Sequence, residues 1–237
     1  MLLDTSLSVY RPAGRLVPVL AAHAGADTPG LALRMGRFAA SLGETALVLD
    51  ARGGEVLRRG GIVAARTLAQ ATRGECALRD CTFVTANEHF CAAELGDLSV
   101  GEAAGTLAAL SLDFDWVFAV PPVGLSRGTA KLAAGADATV LAFDAEAEGD
   151  QGAGDGDAPW LHPFWVVEAV RARHARFDPH VVAYGGKGRA LEAALALDGA
   201  VRARLGGPGL FAGHEGDPDR VEHLLDAMRA QTARAAA

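Results

Sequence analysis

Between Leu16 and Asp50 two short apolar runs flank a single amphipathic helix. Leu16 to Ala22 (LVPVLAA) reads as a buried strand, although Pro18 supplies no ladder donor. A loop of small residues, His23 to Gly30, follows. Leu31, Met35, Phe38 and Leu42 then recur at spacings that place them on one helical face, and Gly43 closes the helix. Ala46 to Leu49 forms a second buried run, ending at Asp50. A strand–loop–helix–strand unit of about 35 residues is the size of a βαβ crossover.

The pattern continues down the chain. Helices are expected at 62–71, 100–112, 126–134, 162–175, 190–205 and 218–230, with strands at 82–86, 116–120, 138–143, 180–184 and near 209–212. Such alternation implies an α/β fold of three layers, a mainly parallel sheet with helices on both faces. The segment Glu146 to Pro159 is rich in Gly, Asp and Glu and has no large apolar residue, so it reads as a mobile acidic loop, about 145–159. The part after it has too few strands for a sheet of its own. The expectation is one domain over residues 1–237.

Composition narrows the function classes. Half of the 237 residues are hydrophobic, enough for a sizeable core. The net charge of −7 argues against coating nucleic acid through bulk charge. Three cysteines, Cys76, Cys81 and Cys91, form no disulfide framework and suit a reducing compartment. No basic, apolar leader opens the sequence and no run approaches the roughly 20 apolar residues of a membrane helix. A cytoplasmic location is expected.

The spacing from Leu16 to Asp50 resembles the opening of the MinD/ParA family, P-loop ATPases with a deviant Walker A loop. His23 to Gly30 aligns without a gap on the eight residues K-G-G-V-G-K-T-T, Ser41-Leu-Gly43 on the helix end, and Asp50-Ala-Arg52 on D-A-D. Phe114 to Leu125 is similar to Y-D-Y-V-L-I-D-T-P-A-G-L, and Ala134 to Val140 resembles the following A-D-x-V-x-V segment. Thr67 to Gly74 resembles the T-L-x-D-x-L-x-G helix. The likeness spans roughly residues 15–143, with the MinD/FlhG branch as the nearest flavour. It implies a P-loop NTPase-like sheet and, for active members, dimerisation around ATP and magnesium.

The departures concern the chemistry. An active loop cradles phosphates on backbone N–H groups, pairs them with a Lys and holds magnesium through a Ser/Thr hydroxyl. By the resemblance, that Lys position is Thr28 and the hydroxyl position is Pro29. The signature Lys that reaches across a dimer is His23, a loop glycine has become Asp27, Gly25 remains on a glycine position, and Gly30 stands on the last Thr of the motif. The second Asp of D-A-D is Arg52, and the Walker B aspartate is Val120, ahead of Gly124. A carboxylate about 4 Å from a phosphate costs about 4 kcal/mol per pair of unit charges at an effective dielectric of about 20. Asp27 or Thr28 can instead N-cap the helix, with Pro29 suited to its first turn. The sequence therefore predicts a self-capped loop and a non-catalytic pseudo-ATPase without a cofactor, with ATP and magnesium as the alternative.

Other constellations carry less. Cys76, Cys81, His89 and Cys91 have looser spacings than a structural zinc site, and free core cysteines account for them. Ser126 reads as a helix cap. Gly185 to Arg189 reads as a strand–turn–helix connection, and Tyr184 lies near the position where the family carries an Asn close to the adenine. Trp160, Phe164 and Trp165 cluster in a chain with only 6% aromatics and are candidate partner-binding residues, since helical periodicity cannot bury both Phe164 and Trp165. Arg171, Arg173, Arg176, Lys187 and Arg189 would form the basic stripe that DNA binding requires. Val221, Leu224, Leu225 and Met228 read as a core-facing stripe on the last helix and not as a membrane anchor. The Gln-containing activation segment typical of FlhG-type proteins is not visible in residues 1–15. The expected partner is a protein, either a second copy, a paralogue or a component of a polar or cell-surface machine such as the flagellum or division apparatus. The alternatives are an enzyme using His23, Asp27, Asp50 and Arg52, and a ParA-like DNA-binding partition protein.

Overall fold

The computed structural model describes residues 14–84, 90–99, 102–103, 106–107, 110, 112–146, 158, 160–175, 177–186, 188–207, 210–214, 217 and 219–235. Eight strands form one sheet in the order β3-β4-β2-β5-β1-β6-β7-β8. They are β1 (Arg15–Ala21), β2 (Ala46–Asp50), β3 (Thr82–Val84), β4 (Cys91–Glu94), β5 (Trp116–Val120), β6 (Val140–Asp144), β7 (His180–Tyr184) and β8 (Phe211–His214). All neighbours pair in parallel except β3, which runs antiparallel to β4 at one edge.

Seven described helices accompany the sheet: α1 (Thr28–Ser41), α2 (Glu55–Arg59), α3 (Leu68–Thr72), α4 (Arg127–Ala134), α5 (Leu161–Arg171), α6 (Arg189–Leu205) and α7 (Arg220–Ala235). Strand alternation sorts the core into two faces. Val17, Val19 and Ala21 of β1 point to the side covered by Leu31 and Met35 of α1 and by Leu224 and Met228 of α7. Leu20 and Ala22 point to the other side, where Phe164 and Val167 of α5 and Leu197 and Val201 of α6 pack. Leu47, Leu49, Val117 and Ala119 meet Leu68 and Leu107 on that same face. This is the three-layer arrangement expected from the alternation.

Pro18 sits inside the central strand without breaking it. Pairing of β1 with β5 runs from Arg15 to Pro18, and pairing with β6 begins at Val19. The proline therefore falls where β1 passes from one neighbour to the other.

One expected helix needs correction and two elements are additional to the expected set. The helix expected at 62–71 is only α3, and residues 62–67 are not helical; Thr67 caps α3 through a reciprocal pair of bonds with Gln70. The strand expected at 82–86 is present as β3 over Thr82–Val84, residues 85 and 86 lying outside the described residues, and β4, a run of small residues (CAAE), is an additional strand. The helix α2 is likewise additional. Most of the helix expected at 100–112, and the acidic loop at 147–157 and 159, lie outside the described residues.

Candidate functional site

In a parallel sheet, ligands bind beyond the carboxyl ends of the strands. Here the ends of β2, β1, β6 and β7 deliver Asp50, the 23–28 loop, Asp144 and Tyr184 to one rim. The loop after β1 turns directly into α1, whose first turn contains Pro29. Proline fits there because its missing N–H has no intrahelical partner at that position.

Asp27 is the N-cap of α1. Its Oδ1 accepts the Gly30 N–H at 3.0 Å, and its carbonyl accepts the Leu31 N–H at 3.0 Å. A Cβ at residue 30 would collide with the Asp27 carboxylate, so the glycine is needed for the cap to close. Two guanidinium groups converge on the same carboxylate. Arg59 of α2 hydrogen-bonds to Oδ1, and Arg34 of α1 lies 3.9 Å from Oδ2. The Tyr184 hydroxyl ties the loop from the other side. It donates to the Asp27 carbonyl at 3.3 Å and accepts from Arg34 at 3.2 Å, while the Arg220 guanidinium lies over its ring, 5.1 Å from the centroid.

Thr28 and Pro29 are buried. The Thr28 hydroxyl accepts from Arg52 at 3.1 Å, and Arg52 also pairs with Glu55 at 2.9 Å. Asp50 is fully buried and its carboxylate is consumed by backbone donors: Arg52 N–H and Val56 N–H at 2.7 Å, and Leu57 N–H at 3.1 Å. It caps the first turn of α2, which explains why a five-residue helix forms there and carries Arg59 to Asp27. Val120 is buried in the core, and Ala51 donates to its carbonyl. Gly124 adopts φ +91°, a left-handed turn that glycine accommodates.

His23 faces β6. Its Nε2 accepts the Asp144 N–H at 2.9 Å, which requires that nitrogen to be unprotonated. Burial pushes the His23 pKa down, with the nearby Asp144 charge acting in the opposite direction. Gly25 leaves little room: a Cβ there would lie 3.1 Å from Asp144 Oδ2 and 3.4 Å from His23 Nδ1. The rim thus brings together His23, Gly25, Asp27, Thr28, Gly30, Asp50 and Arg52. Arg34 and Arg59 belong to it as well; no sequence signal singled them out, because their place depends on how α1 and α2 pack.

The aromatic candidates separate. Phe164 is buried in the core and makes an edge-on contact with Trp160, with Arg204 over its ring. Phe164 is therefore removed from the candidate partner-binding set. Trp160 is half-buried, and Trp165 is 64% exposed on α5. Ser126 caps α4, accepting the Thr129 N–H at 3.0 Å. Of the basic residues, Arg171 is turned inward to the Phe177 carbonyl and Asp178, while Arg176 and Lys187 lie outside the described residues. No helix among the described residues is long and apolar enough to cross a membrane, and among them no group of three His, Cys, Asp or Glu could hold a metal ion.

No family model matches the chain, and no curated protein matches it in sequence. Solved structures match it in fold. The MinC:MinD cell division protein complex of Aquifex aeolicus aligns with a TM-score of 0.65 and 14% identity, over 94% of this chain and 95% of that chain. A plasmid partition protein from Borrelia burgdorferi aligns with a TM-score of 0.66 and 10% identity, over 92% and 99%. McdA of Cyanothece in its apo form aligns with a TM-score of 0.64 and 14% identity, over 90% of both chains. At these identities the likeness is one of fold: this chain has the MinD/ParA fold, a mostly parallel eight-stranded sheet covered by helices.

Proposed function

We propose that this protein is a MinD/ParA-type pseudo-ATPase that no longer turns over ATP and works by binding other proteins, in the spatial regulation of a polar or cell-surface machine such as the flagellum or the division apparatus. The observation that carries the reading is the Asp27 carboxylate. It occupies the amide end of α1, where the resemblance would put phosphate, and two arginines already neutralise it. An anion at a helix N-terminus is stabilised by the free N–H groups and the helix dipole. On this reading a side chain supplies that anion.

The donor set does not fit a magnesium triphosphate. Position 29 offers neither hydroxyl nor N–H, position 120 is a valine, and Asp50 spends its carboxylate on three backbone donors. Phosphoryl transfer depends on positioning and charge neutralisation, and the rim offers an acidic group where neutralisation is required. Of the polar set that an enzyme reading would use, His23, Asp27, Asp50 and Arg52, the last two are engaged in holding α2 and Thr28. Trp165, exposed on α5, offers an aromatic anchor for a protein partner, with the half-buried Trp160 near it in sequence.

The reading is tested by measuring phosphate release from ATP by the purified chain and by its Asp50→Ala variant. Both are expected at the level of buffer alone. Magnesium-dependent turnover by the wild type that Asp50→Ala abolishes would replace this reading with the enzyme alternative.

A further inference from the structure

Two of the three cysteines, Cys76 and Cys81, meet beside the edge strand β3, outside the set of residues that lines the rim. Cys76 precedes a 3-10 turn at Leu78–Cys81, and Cys81 ends it. The turn folds the chain back so that the two sulfur atoms lie 3.5 Å apart. Cys81 is buried and its thiol donates to the Thr67 carbonyl at 3.1 Å; Cys76 is half-buried and so the more exposed of the two. A disulfide has an S–S distance of about 2.05 Å, so closure asks the sulfurs to approach by about 1.5 Å, within the reach of side-chain rotation and a small shift of a short turn.

We propose that Cys76 and Cys81 form a reversible dithiol–disulfide site that is oxidised by a hydroperoxide and reduced by cellular dithiols. The proposal does not depend on the function proposed above. Cys76 is the attacking group because it is the more exposed member, whereas burial and the neighbouring sulfur push the Cys81 thiol up to about 11. The Cys76 thiolate attacks hydrogen peroxide: an S–O bond forms, the O–O bond breaks, and the departing hydroxide leaves as water with the proton that the Cys76 thiol gave up. This gives a sulfenic acid at Cys76. The Cys81 sulfur then attacks the Cys76 sulfur. The S–S bond forms, the S–O bond breaks, and hydroxide leaves as water with the proton that Cys81 gives up. Two thiols are oxidised by two electrons in all, and one hydrogen peroxide is reduced to two waters.

Closure has a structural consequence. The thiol proton that Cys81 gives to the Thr67 carbonyl is lost. Thr67 is the cap of α3, and Cys81 leads directly into β3. The disulfide would therefore pin the turn between α3 and the edge strand. Cys91, on β4, takes no part and serves as the internal control.

The experiment treats the reduced full chain with hydrogen peroxide, blocks remaining thiols with iodoacetamide and reads the intact mass and the peptide map. Wild type and Cys91→Ser are expected to lose about 2 Da and two alkylation sites through a Cys76–Cys81 crosslink, and to regain both sites with dithiothreitol. Cys76→Ser and Cys81→Ser are expected to form no intramolecular crosslink, and Cys81→Ser to retain a sulfenic acid at Cys76 that dimedone traps. A crosslink that requires Cys91, disulfides only between chains, or sulfinic and sulfonic products in wild type without a crosslink would each overturn the proposal. Circular dichroism of each variant establishes that it is folded before its oxidation is read.

Discussion

At the scale of single residues, Asp27 concentrates the account, because the same carboxylate caps a helix and balances two cations. The two roles separate experimentally. Asparagine caps a helix about as well as aspartate, whereas alanine cannot cap it and costs about 1 kcal/mol, within a range of about 0.5–2. The ion pairs are partly exposed and add little. Asp27→Ala is therefore expected to lower the urea midpoint by the equivalent of about 1 kcal/mol with the m-value unchanged, and Asp27→Asn to lose less than half of that. Equal losses in both variants would assign the stabilisation to charge and not to the cap.

A second residue-scale expectation concerns pH. His180, at the start of β7, hydrogen-bonds to Gln231 of α7 at 2.6 Å, and burial lowers its pKa below the ordinary 6.5. The unfolded chain then takes up a proton at a pH where the folded chain does not. The stabilisation is complete above the unfolded value and is lost as the pH falls from there through the lowered folded value. Asp178 nearby has its carboxyl pushed up by burial, which acts with the opposite sign at lower pH, so the comparison must be made against a variant. Urea midpoints at about pH 7.5 and about pH 5.5 should fall more in wild type than in His180→Gln. An equal fall in both would assign the pH dependence to other groups.

At the scale of elements, α1 rests on β2 through a close approach at Gly36. A Cβ there would lie 2.8 Å from Val48 Cγ2 and 3.3 Å from Phe90 Cδ2. Alanine gains about 1 kcal/mol of helix propensity over glycine, but overpacking a core costs about 1–3 kcal/mol. The steric term is expected to win, so Gly36→Ala should lower the melting temperature. A rise would mean that α1 can lift from the sheet at no cost.

The elements also mark what the sequence makes legible. β1, α1, β2, β5, α4, β6 and β7 lie where local periodicity places them, because each carries its own apolar run or stripe. The misses are elements whose reasons are tertiary. α2 forms because the buried Asp50 carboxylate, contributed by β2, caps it. β4 is four small residues that pair only because β2 and β3 flank them. Residues 62–67 have apolar composition but stay outside any helix, and α3 begins where Thr67 provides a cap. The rim divides in the same way. A cap at Asp27 or Thr28 follows from their place before Pro29 and the structure selects Asp27, whereas the approach of Arg59, Arg34 and Tyr184 depends on α2, on α1 and on the end of β7.

At the scale of the whole molecule, the sheet order puts the loop after β1 at the centre of the carboxyl rim, where such folds hold their ligands. This chain lines that place with groups that satisfy one another. Asp27 meets Arg59 and Arg34, Thr28 meets Arg52, and Asp50 meets the first turn of α2. On the proposed reading the fold is complete without nucleotide, and exposed positions such as Trp165 are left to engage a partner. Isothermal titration of the reduced chain with magnesium ATP is the most direct measurement of that claim. No saturable heat is expected up to about 1 mM nucleotide, an affinity weaker than about −4 kcal/mol. Magnesium-dependent binding at micromolar nucleotide would contradict it.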